Sequence, residues 1–158
     1  MPDLTLLLTI AAAAFNGILA GATLDQSFKQ LPARQRMGAL AYSAYSQAAD
    51  LGNGIAWYAF LGIGAASLTL VAALVAFFAG VSFAHALPLY IAAVLSLLHS
   101  LVTTQAAPTL FSQRRYANDE AALAAVFDRF ARWQTLRALF QLLAFIALLW
   151  ALASGVRA

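Results

Sequence analysis

The chain has 158 residues, of which 63% are hydrophobic and 9% charged, with a net charge of +3 and no cysteine. A soluble domain carries roughly 25% charged residues, and nine bases with six acids cannot clothe a soluble surface of this size. Disulfides, thiolate metal sites and cysteine nucleophiles are excluded, and no basic patch interleaved with aromatics argues for nucleic acid.

The long apolar runs instead predict an integral membrane protein, one transmembrane domain over residues 1–158 with four spans. Met1-Pro-Asp3 offers no positive leader, so the first run is expected to be a retained span. That span covers 4–24. It contains Asn16, whose amide needs a partner in hydrocarbon, either a neighbouring helix or a ligand. Gly17 and Gly21 form a GxxxG, a face for close helix approach within the chain or in a helix–helix oligomer. Pro32 is expected to stop the helix. Beyond it, Met37, Leu40, Ala41, Ala44 and Ala48 recur at helical spacing, which predicts an amphipathic helix that lies at the membrane interface or leads into span two. Tyr42 and Tyr45 suit the headgroup level.

Gly52-Asn53-Gly54 predicts a kink before span two, 55–78, which opens with Trp57 and Tyr58. Span three, 87–105, has Pro88 in its first turn and is expected to end at Pro108. At 100° per residue its Ser96, His99, Ser100 and Thr103 fall within about a 100° arc, too polar a face for lipid. Asn118-Asp-Glu120 is a helix start, followed by the apolar stripe Leu123, Val126, Phe127 and Phe130. No breaker lies between Asp119 and Ser154, so this helix is expected to run unbroken into span four, 136–153.

Lys29, Arg34 and Arg36 lie in the first loop, and Arg114, Arg115, Arg129 and Arg132 in the third. The positive-inside bias then predicts loops one and three in the cytoplasm, both carrying amphipathic helices, with both termini outside a cell (inner) membrane. The expected fold is all-α, an up-down-up-down four-helix bundle in the lipid bilayer.

This orientation gathers polar groups in the cytoplasmic half. His99 and Arg137 are the candidate chemical pair, with Asn16, Asn53, Trp57, Ser96, Thr103, Trp133, Gln134 and Gln141 as candidate ligand-binding residues around them. Arg137 has a plainer reading too, snorkelling to headgroups and pairing with Asp25. His99 has no second His or carboxylate at ligand spacing, so no metal site and no cofactor is expected. A cytoplasm-facing pocket for a hydrophobic small molecule or lipid is the first functional reading. A small transporter or accessory subunit is a weaker one, since repeats and a mid-span acid are missing.

At Arg132-Trp-Gln-Thr-Leu-Arg137-Ala-Leu the chain resembles the anthrone-oxygenase-like family of small four-span membrane proteins, most of which have no known function. Trp133 and Arg137 match the opening of that family's last span, and Gln134 stands where Asn is usual. Thr103-Thr-Gln-Ala-Ala-Pro108 and the pairing of Gly17 and Gly21 with Leu31-Pro32 are similar as well. The resemblance implies a second functional reading, cofactor-independent oxidation of a hydrophobic aromatic such as an anthrone. His99 would then be the base and Arg137 the partner of the enolate.

Overall fold

The computed structural model describes residues 3–156, and they are almost wholly helical. Helix α1 (Leu4–Asp25) starts on Asp3, whose carboxylate accepts the Thr5 N–H at 2.8 Å. It does not stop at Pro32. A π-helical turn, Gln26–Gln30, carries it into α2 (Leu31–Met37), where the proline sits in the first turn beside the widened π-helical geometry. The break comes at Gly38, whose φ of +81° suits glycine alone.

Helix α3 (Ala39–Ala48) enters a second π-helical turn, Ala49–Asn53, and then α4 (Gly54–Phe78). The expected kink is there, with Gly52 out of helical geometry at φ −92° and ψ −119°. Gly54 is needed because a Cβ would lie 2.6 Å from the Ala49 carbonyl oxygen.

Helix α5 (Phe83–Phe111) begins a turn earlier than expected and runs past Pro108, which it accommodates three residues from its end. Helix α6 (Glu120–Ala153) is continuous, with Asp119 as its cap accepting the Ala122 N–H at 2.9 Å.

Counting the turns joined to them, four helices are long and apolar enough to cross a membrane. They close a four-sided bundle in which α1 packs on α4 and α6, and α5 packs on the same two. The turns and short helix carrying Lys29, Arg34, Arg114 and Arg115 gather at one end, called the basic end below.

Packing differs between the two ends. Away from the basic end the core is mostly alanine, with Ala12, Ala72, Ala76, Ala86, Ala92 and Ala151 fully buried. Small side chains let the helices approach closely, and dispersion between backbones replaces large knobs. Two glycines receive rings instead: Phe15 sits against Gly64 and Phe145 against Gly17. The basic end is packed with large groups, including Leu123, Phe127 and Phe130. Tyr42 stands edge-on to Phe127 at 4.8 Å. It is buried, not held at a surface as expected.

The expected apolar stripe of α3 faces outward, with Met37 and Leu40 more than two-fifths exposed. Its polar face turns in because the interior there is polar: Ser43 and Ser46 meet the side chain of Gln113, which follows α5. Large apolar side chains cover the outside of the long helices, among them Phe60, Ile63, Leu101 and Ile146.

Candidate functional site

One hydrogen bond joins α5 and α6 at the site. His99 projects from α5, buried, with Nδ1 3.1 Å from the backbone carbonyl oxygen of Arg137 on α6. A carbonyl only accepts, so the proton sits on Nδ1 and the Nε2 lone pair is left available. The carbonyl has a second lone pair beyond the one its own helix uses.

The Arg137 guanidinium is held by a neighbour one turn back, Nη1 donating to Gln134 Oε1 at 3.0 Å. Gln134 in turn donates Nε2 to the Thr23 carbonyl of α1 at 3.1 Å. Gln134 therefore aims Arg137 and ties α6 to α1 at once. Asp25 does not pair with Arg137 as expected: it is taken by Lys29 and Gln30. Among the described residues the ion pairs are Lys29–Asp25 and Arg34–Asp128, and neither reaches Arg137. Arg137 is 9% exposed, and its Nε is buried with no hydrogen-bond partner. A buried charge left unpaired costs several kcal/mol, so this arrangement needs an explanation.

Arg137 and His99 border a cavity of about 490 Å³ between α4 and α5. Its walls are mainly apolar, from Ile55, Ile63, Leu110 and Phe130 among others. Thr103 and Ser100 line it too, but each hydroxyl donates back to its own helix, Thr103 to the His99 carbonyl and Ser100 to that of Ser96. They can accept from a ligand and have no proton spare. Tyr58, Ser67, Gln26 and Asp50 complete the polar lining.

Asp50 is the residue that sequence reasoning missed. The π-helical turn after α3 points it inward, 7% exposed, where Oδ2 accepts from Ser46 at 2.8 Å and Oδ1 from Gln26 at 3.3 Å. A signal was present: Ser43, Ser46, Gln47 and Asp50 form a polar stripe opposite the apolar one, at the same helical spacing.

The other expected ligand-binding residues divide into two groups. Asn16, Gln134, Gln141 and Ser96 are buried but do not line the cavity. Asn16 donates to Thr69 Oγ1 at 2.9 Å and accepts from Gln141 Nε2 at 2.8 Å, joining α1, α4 and α6 by side chains alone. That is the packing role of a polar residue among apolar helices. Asn53, Trp57 and Trp133 lie elsewhere. Asn53 and Trp57 are exposed, because the kink turns the first face of α4 outward and presents Tyr58 in their place. Trp133 packs on the core of the basic end.

Among the described residues no three His, Asp or Glu side chains converge as a metal site would require. Compared with family models, curated proteins and solved structures, the chain matches none.

Proposed function

We propose that this chain is a four-span, up-down-up-down protein of the cell membrane whose cavity binds a hydrophobic small molecule or lipid through an acidic or strongly accepting end. The basic end faces the cytoplasm and both termini lie outside, because the arginines of loops one and three are one-sided. The single observation that carries the binding reading is Arg137, a buried cation with no carboxylate, bordering an apolar cavity. A ligand oxyanion would meet that charge and return the desolvation cost. The volume of about 490 Å³ suits a drug-sized molecule. Ile55, Ile63 and Phe111 line the cavity and are also exposed, which supports entry sideways from the inner leaflet.

The test is titration of the purified protein in nanodiscs with 2-naphthoate, using empty nanodiscs to subtract partitioning. Wild type should bind saturably, and Arg137→Gln should weaken binding at least about tenfold, the worth of one charge-assisted hydrogen bond. Equal affinity for the two proteins would end this reading.

The free Nε2 of His99 favours a second reading, oxidation of an acidic aromatic by dioxygen. His99 would take a proton from the carbon acid, Arg137 would hold the enolate oxygen, and dioxygen would accept the electrons. An anthrone plus O2 would give an anthraquinone plus water. Oxygen uptake with anthrone, abolished in His99→Ala, is the corresponding assay. Oxygen uptake that is no faster than in empty nanodiscs would dismiss it.

A further inference from the structure

The cavity holds a further ionisable group at its polar lining besides Arg137 and His99, the carboxyl of Asp50. Asp50 borders it as well, comparably buried, and it forms no ion pair among the described residues. An ionised carboxylate offers about four acceptor positions. Ser46 and Gln26 occupy two, one on each oxygen. A carboxyl and a guanidinium thus line one apolar cavity with no ion pair between them. The separation follows from the helices. Leu51, beside Asp50, belongs to the same buried cluster as Leu110 and Phe130 and lines the same cavity. Phe130 precedes Arg137 on α6 by seven residues, about 10 Å of helical rise.

Resting on the binding reading above, we infer that the cavity is bipolar and takes a rigid apolar molecule, acidic at one end and hydrogen-bond-donating at the other. Arg137 holds the acid and Asp50 receives the donor, a hydroxyl or an amine. Each pole alone is a cost to the empty protein. A ligand bridging both relieves both. A simple fatty acid satisfies only the first.

The pole at Asp50 is held from two directions. Gln26 comes from the turn after α1, Ser46 from α3, and behind Ser46 stand Gln113 and Ser43. Arg114 is nearby but is engaged with the Leu51 carbonyl at 3.3 Å. The carboxylate is therefore fixed in place before any ligand arrives, which lowers the ordering cost of binding.

Two fluorescent probes separate this inference from the reading it rests on: 2-naphthoate and 6-hydroxy-2-naphthoate, titrated into the full chain in nanodiscs. The hydroxyl should improve wild-type affinity about tenfold, as expected for a hydrogen bond to a charged acceptor. The gain should vanish in Asp50→Ala and shrink in Asp50→Asn, which keeps an acceptor and safeguards the test should the alanine variant not fold. If both probes bind wild type equally, or the gain survives in both variants, the second pole is refuted while the acid pole stands. If neither probe binds, or Arg137→Gln changes nothing, the acid pole fails and the bipolar cavity fails with it.

Discussion

Arg137 is positioned by a relay in which each bond has its own consequence. Thr23 holds Gln134, and Gln134 holds the guanidinium, so Gln134→Leu should weaken 2-naphthoate binding about tenfold by releasing the aim of Arg137. The charge itself is a liability in the empty protein. Replacing buried ionic groups by apolar residues of similar volume is often neutral or stabilising by about 1–4 kcal/mol when no charged partner is left behind, and Arg137 has no carboxylate partner among the described residues. Arg137→Met should therefore unfold at an equal or higher temperature than wild type in a thermal-shift assay, and bind no acid. Loss of several degrees would mean that Arg137 serves the fold rather than a ligand. His99 and Arg137 stood out in the sequence because ionisable residues inside apolar runs are rare. Asp50 did not, because it lies in a loop where acids are ordinary. Only the inward turn of α3 makes it unusual.

The helices show how far periodicity reaches. All four were legible in outline, since their apolar runs are long and unmistakable. Their ends were not. Pro32 and Pro108 were read as stops, yet the helix continues past each, the lost bond being outweighed by the rest of the helix. The apolar side of α3 faces outward and its polar side inward, the reverse of an amphipathic helix on a soluble domain. Apolar residues outside are the low-energy choice in a bilayer, so this orientation fits the proposed membrane location. Glycines test the packing between elements. A Cβ at Gly64 would lie 2.4 Å from the Phe15 ring, while at Gly62 nothing stands within 4 Å. Gly64→Ala should destabilise the bundle by about 1–3 kcal/mol through overpacking. Gly62→Ala, on the same helix, should leave the unfolding temperature unchanged or slightly higher. Gly17 is similarly taken up by Phe145, whereas Gly21 is exposed with nothing near it, which leaves one of the two glycines free for a second chain.

For the molecule as a whole, orientation and ligand are linked, because a cavity near the basic end serves cytoplasmic or inner-leaflet molecules only if that end faces inward. The chain contains no cysteine, so single cysteines report without background. Ser82→Cys, between α4 and α5, should react with a membrane-impermeant maleimide in intact cells. Ala117→Cys, between α5 and α6, should react only after permeabilisation. The reverse pattern would turn the cavity to the other side of the membrane. The most direct test of the account is a structure of the protein with 6-bromo-2-naphthoate, whose bromine marks the ligand independently of its shape. The carboxylate should lie within hydrogen-bonding distance of the Arg137 guanidinium, with the ring between α4 and α5. A ligand bound elsewhere, or an Arg137 that leaves the carboxylate unmet, would contradict it.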